Sequence, residues 1–268
     1  MNPSTFKNAA LIIAGHGSSV NPDSAKPTLA HAEAIRQRGI FAEVATCFWK
    51  QPPSFWETID QVESREIYVV PNFISEGYFT RKIIPREMRL TGPVTVRDGR
   101  TIRYCDPAGK HPAMTGLLLR EARAVAPDVD PARTCLVIVG HGTGLDDNSS
   151  EAARMQARRI AESGAYAEAI SAYMEEPPRI ADWDLLTTQP NVVVVPFFIS
   201  DGLHSYQDIP VLLGLTEAPG PAASQSEVFR HNPHHLRGRN LYYGAAIGTG
   251  PGFADILLEQ VAAFAENR

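Results

Sequence analysis

Short, uninterrupted apolar runs such as "LVIV" at 136–139 and "NVVVV" at 191–195 alternate along the chain with longer amphipathic stretches. Runs this short, β-branched and free of polar alternation are expected of parallel strands covered on both faces. Between these two lies "SSEAARMQARRIAESG", in which Ala153, Ala157 and Ile160 recur at helical spacing. Ser149 or Ser150 reads as its N-cap and Gly164 as its stop. In "VTVRDGRTIRYC" the pair Asp98 and Gly99 separates two alternating runs, which predicts a hairpin. "FADILLEQVAAFAE" predicts a closing helix. The order strand, helix, strand, helix predicts an α/β fold with a mainly parallel sheet flanked by helices.

The pattern occurs twice. "LIIAGHGSS" from Leu11 is echoed by "LVIVGHGTG" from Leu136, an offset of 125 residues that also carries "FWKQPP" onto "YMEEPP" and "VVPNFISEG" onto "VVPFFISDG". After Pro85 and Pro210 the register changes to 139, which pairs Tyr104 with Tyr243, Gly109 with Gly248 and Pro112 with Pro251. The extra residues fall in "LLGLTEAPGPAASQSEVFRHNPHHLRGRN", whose Pro, Gly and His content predicts a surface loop. The seam lies near "AVAPDVDPAR", so the expected domains are 1–127 and 128–268, facing each other across a cleft. Ligands of open parallel sheets bind beyond the carboxyl ends of the strands, where both GHG motifs fall.

Composition narrows the chemistry. At 268 residues and 44% hydrophobic the chain can bury a sizeable core. It has no apolar run near the roughly 20 residues a bilayer span needs, and its polar start does not read as a signal peptide, so a cytoplasmic protein is expected. Cys47, Cys105 and Cys135 are widely spaced and read as core residues, not as a disulfide framework or a cluster site. A net charge of -5 without long charged blocks argues against nucleic acid or an anionic membrane as the partner.

Duplication makes the sequence its own comparison. His16 matches His141, but Glu175 stands opposite Lys50 and His204 opposite Phe79. The second copy therefore holds two imidazoles and a carboxylate beyond apolar runs, a set that suits ferrous iron, cobalt or zinc and leaves coordination positions open. The first copy instead gathers Arg81, Lys82, Arg86 and Arg89 against a single Glu87, with Lys50 in place of the acid, which predicts a wall for a polycarboxylate. Asp208 reads as the cap of a following helix, His111 as a turn residue and "HNPHH" at 231–235 as exposed loop. The glycines beside His141 read as room for a ligand to approach the backbone.

These motifs resemble the class II tetrapyrrole chelatases, which include the sirohydrochlorin chelatases. The residues that carry the resemblance are "GHGT" with His141, "YMEEPP" with Glu175, "VVVVPFFISDGLHSYQDIP" with His204 and Asp208, and "PAGKHP". The resemblance implies two flavodoxin-like domains and insertion of a divalent metal into sirohydrochlorin with no organic cofactor. It implies His141, His204 and Glu175 as metal ligands and catalytic groups; on the reading of the residues themselves, Arg81, Lys82, Lys50, His16 and Ser200 are expected to bind the macrocycle. Phe79 and Lys50 depart from the family pattern, so one working site per chain is expected, in a monomer or weak homodimer; ferrous iron is favoured over cobalt because the chain lacks the cysteine cluster and long histidine tract of some larger cobalt-type relatives. A histidine phosphatase is disfavoured because Gly15 and Gly140 stand where its phosphate-binding arginine belongs. A non-catalytic metal or tetrapyrrole carrier on the same fold is the remaining alternative.

Overall fold

A computed structural model describes residues 5–142, 147–218 and 230–266. The first sheet contains β1 (Ala9–Gly15), β2 (Glu43–Phe48), β3 (Glu66–Pro71), β4 (Val94–Arg97) and β5 (Arg100–Tyr104). Its order is β2-β1-β3-β5-β4, with every pairing parallel except that of β4 with β5. The second sheet, from β6 (Thr134–Gly140), β7 (Glu168–Tyr173), β8 (Asn191–Pro196), β9 (His234–Leu236) and β10 (Arg239–Tyr243), repeats that order as β7-β6-β8-β10-β9. Each is the mainly parallel, helix-flanked sheet that the apolar runs predict.

The centre of each sheet is its most apolar strand. All seven residues of β1 and all seven of β6 are buried, consistent with cover on both faces. In both sheets the chain leaves the central strand to one side and returns on the other, so the switch point lies beyond β1 and β3, and again beyond β6 and β8. The GHG turns fall there.

Helices α1 (Lys26–Gln37), α2 (Phe55–Gln61) and α3 (Ile84–Glu87) belong to the first repeat, and α5 (Asp147–Ser163) and α6 (Ile209–Leu213) to the second. Helix α5 starts at Asp147, ahead of both serines read as its cap; Ser150 lies inside it, and the side chain of Ser149 lies outside the described residues. Gly164 does end α5, with φ 65 in the left-handed region. The Asp98–Gly99 hairpin forms with both φ values positive, 53 and 72. Its counterpart under the 139-residue offset is Arg237–Gly238, at φ 49 and 75. Part of the region read as loop is therefore the β9–β10 hairpin, while residues 219–229 lie outside the described residues.

The remaining two helices depart from the sequence boundaries. The chain divides into two compact units, Met1–His111 with Pro251–Arg268, and Pro112–Gly250. Helix α4 (Met114–Val125) ends the first repeat, yet it packs on β8 and α5. Helix α7 (Phe253–Glu266) ends the second repeat, yet it packs on β3 and α1. The seam of the duplication at 127/128 is thus not the boundary of packing, because the closing helices have exchanged sheets. Met114, Leu117, Leu118 and Ala122 of α4 are fully buried by this arrangement, as are Phe253, Leu257 and Val261 of α7. Cys47, Cys105 and Cys135 are all buried, as core residues should be.

Candidate functional site in the second unit

The turn after β6 delivers His141, and the loop after β7 delivers Glu175. Backbone bonds join them: the amides of Met174 and Glu175 both donate to the His141 carbonyl, at 3.2 Å each. Gly142 follows at φ 69, where a Cβ would lie 2.6 Å from Tyr173 Cβ and 2.7 Å from Glu176 Cγ. The glycine therefore leaves room for the protein's own neighbouring loop, which corrects the reading that it clears a path for a ligand. Gly17 repeats the arrangement in the first unit, with Phe48 and Gln51 in the same places.

His204 arrives from beyond β8. It opens a π turn, His204–Asp208, and the same wide turn recurs at Phe79–Ile83 in the first unit. Such turns are rare and often mark functional sites. In each copy a tyrosine at the end of the fourth parallel strand holds the turn: Tyr243 donates its hydroxyl to Ser205 O at 2.6 Å, and Tyr104 donates to Thr80 O at 2.7 Å. Neither the turn nor its anchor is legible in the run "HSYQD", because five such residues read equally well as helix.

These elements bring the predicted residues together. The rings of His141 and His204 meet edge to face, with centroids 4.8 Å apart. Glu175 Oε1 lies 3.7 Å from His141 Nε2, and Asp208 Oδ2 lies 2.7 Å from His204 Nδ1. Phe198 flanks His204 at 5.7 Å. Asp208 makes no side-chain cap bond to α6, so its carboxylate serves the imidazole and not the helix end that the sequence suggested. His141 is held below the ordinary imidazole range, chiefly by burial and then by the neighbouring His204, while Glu175 and Asp208 oppose the shift. Its Nδ1 is buried with no hydrogen-bond partner among the described residues. Ser200 sits half-buried between β8 and the π turn.

Among the described residues, no three His, Cys, Asp or Glu side chains form a ready metal cage. His141, His204 and Glu175 come together as an open set, in which Asp208 already engages His204 Nδ1.

The first unit shows what is missing there. Phe79 takes the place of His204 and packs edge to face on His16 at 4.9 Å. Lys50, in the place of Glu175, lies 5.9 Å over the ring of Trp49. The His16 ring instead uses Nδ1 against Gly17 O at 2.8 Å. Of the expected anion wall, Lys82 is exposed, Arg86 pairs with Glu87 at 2.7 Å, and Arg81 pairs with Glu76 at 3.2 Å, which also receives Lys110 at 3.1 Å. Glu76 has a counterpart in Asp201, whose cation is Arg230 at 2.8 Å. Each unit therefore pairs this acid with a cation from a different part of its chain, and the acid neutralises part of the wall. His111 contacts Glu259 at 3.3 Å as it ends a short 3-10 turn.

The sequence profile of the CbiX family matches this chain twice, over residues 10–125 and 135–263. A probable sirohydrochlorin cobaltochelatase of Halobacterium salinarum is 38% identical over 271 residues, covering 94% of this chain and 90% of that protein. A multi-domain protein of Deinococcus radiodurans, described as structurally similar to chelatases, is 28% identical with a TM-score of 0.79; the match covers 95% of this chain but only 54% of that longer one. SirB from Bacillus subtilis, solved with Fe3+, shares the fold at a TM-score of 0.71 and 18% identity, over 97% of this chain and 96% of that one. Two profile matches that follow the two repeats, together with a full-length relative at 38% identity, establish that this chain belongs to the CbiX family.

Proposed function

We propose that this protein is a sirohydrochlorin chelatase, inserting a divalent first-row ion, cobalt or iron, into a polycarboxylate tetrapyrrole. The observation that carries the reading is the meeting of His141 and His204 at 4.8 Å beside Glu175, in one repeat of a duplicated CbiX-family chain.

Insertion requires that water leave the ion and that two pyrrole N–H protons leave the ring. An imidazole kept neutral by burial is suited to both tasks, since its lone pair can take a metal or a proton. In this reading His141 and His204 receive the ion, and Glu175 assists as ligand or proton acceptor. General-base help of this kind contributes about 10² to 10⁴ in rate. Lys50, Lys82, Arg81, His16 and Ser200 bind the macrocycle, with Lys82 and Lys50 carrying more of its carboxylate recognition than Arg81, which Glu76 already engages. Nitrogen and oxygen ligands accept both ions, ranked by intrinsic affinity. The relative named for cobalt and the expectation of iron are both compatible with the set. The reaction needs no organic cofactor, and the protein works in the cytoplasm as a monomer or weak homodimer.

The test mixes purified protein with sirohydrochlorin and either cobaltous or ferrous ion without oxygen and follows the absorption spectrum. Metal-dependent product in excess of enzyme is expected with at least one ion, and the ratio of kcat/KM values fixes the preference. Product that stops at one equivalent would instead identify a carrier.

A further inference from the structure

His204 differs from His141 in what holds its ring. The side chain of His141 is 27% exposed, while that of His204 is 43% exposed and opens a turn at the surface. An exposed imidazole can rotate and can carry its proton on either nitrogen, and only one of those arrangements presents a lone pair in a given direction. The group that removes this freedom is Asp208, 2.7 Å from Nδ1.

Three observations separate this contact from a structural one. An ionised carboxylate only accepts hydrogen bonds, so the contact places a proton on Nδ1, and in the neutral ring that leaves the lone pair on Nε2. The carboxylate makes no cap bond to α6, so the helix that follows does not depend on it. The duplication supplies the control: at the corresponding positions the first unit has Phe79 and Ile83, and it forms the same π turn, the same tyrosine anchor and the following helix without either polar residue. Acid and imidazole are present together in one repeat and absent together from the other. A residue needed for the turn would appear in both copies.

We infer that Asp208 is a positioning residue whose carboxylate holds the Nδ1–H of His204 and so aims the Nε2 lone pair at the incoming metal ion. The inference rests on the proposed metal-inserting role of His204, which it deepens. Outer partners of this kind fix tautomer and ring orientation, and their loss commonly costs about 10- to 100-fold in metal affinity or activity.

Two measurements on the full chain test it. Long-range proton–nitrogen NMR at pH 8 reads the His204 tautomer directly: the wild type should show Nδ1–H, and Asp208→Ala should move toward Nε2–H. Steady-state insertion of cobaltous ion should show KM for the metal raised about 10- to 100-fold in Asp208→Ala. The fluorescence-measured Kd for sirohydrochlorin should stay within about twofold, and Asp208→Glu should recover most of the loss. An unchanged tautomer or an unchanged metal KM overturns the inference, as does an equal loss of macrocycle binding. If Asp208→Ala does not fold, Asp208→Ile, which introduces the residue type that the first unit carries at Ile83 in the same turn and cannot accept the Nδ1 proton, carries the same comparison. The tautomer spectrum needs no turnover, so a wild type that fails to insert metal would remove the proposed function while the spectrum still decides what Asp208 does.

Discussion

Burial strips water from the imidazole of His141, and the ring of His204 adds to the cost of protonating it. Its folded pKa is therefore below the ordinary value of 6.5, and the unfolded chain binds the proton more readily than the folded one. The associated stability is fully present above 6.5 and is lost as pH falls through the folded value. Denaturation midpoints at pH 7.5 and pH 5 should thus fall less in His141→Phe than in the wild type, and the acid limb of insertion should lie below 6.5. Glycines separate in the same way. Gly164 and Gly142 both have positive φ, but a Cβ on Gly164 meets nothing within 4 Å, whereas one on Gly142 collides with Tyr173. Gly164→Ala should cost about 1 kcal/mol and Gly142→Ala at least about 2 kcal/mol, read by urea denaturation. At this scale, comparing the two repeats singles out His141, Glu175 and His204, which the fold brings side by side. The role of Asp208 does not emerge, because a polar residue before a helix satisfies the cap pattern whether or not its side chain turns toward the helix.

The π turn is the element on which the site depends, and its tyrosine anchor is invisible until the strand and the turn are placed side by side. Tyr243 is 1% exposed, and replacing it with Phe leaves the Ser205 carbonyl without its 2.6 Å partner. That loss should lower stability by about 1–3 kcal/mol and slow insertion by releasing His204. Tyr104→Phe removes the matching bond in the first unit and should lower stability while leaving the metal KM unchanged. Equal effects of the two replacements on the metal KM would contradict the assignment of the site to one repeat. The strands were legible because β-branched runs such as "NVVVV" have few alternatives. The β9–β10 hairpin was legible in principle, since the 139-residue offset lays Arg237–Gly238 on Asp98–Gly99, but the Pro-rich run ahead of it dominated the local pattern.

Across the whole chain, the exchange of α4 and α7 between the sheets is the feature that local sequence does not encode. Both helices bury an apolar face, Met114, Leu117 and Leu118 in α4 and Phe253, Leu257 and Val261 in α7, and that pattern does not say which sheet covers it. A fragment of residues 1–127 therefore carries α4 without β8 and lacks α7. Expressed alone it should self-associate or aggregate on size exclusion, and co-expression with 128–268 should restore a one-to-one complex. A folded 1–127 monomer with a cooperative melt would contradict the exchange. The most direct test of the central claim, that the second repeat holds the working metal site, is His204→Ala assayed for sirohydrochlorin binding and for metal insertion in the same preparation. Macrocycle affinity should stay within about threefold of wild type while insertion falls by about 10² or more. Insertion that persists in this variant, or macrocycle binding lost together with it, would show that His204 is not the metal-handling residue of the second repeat.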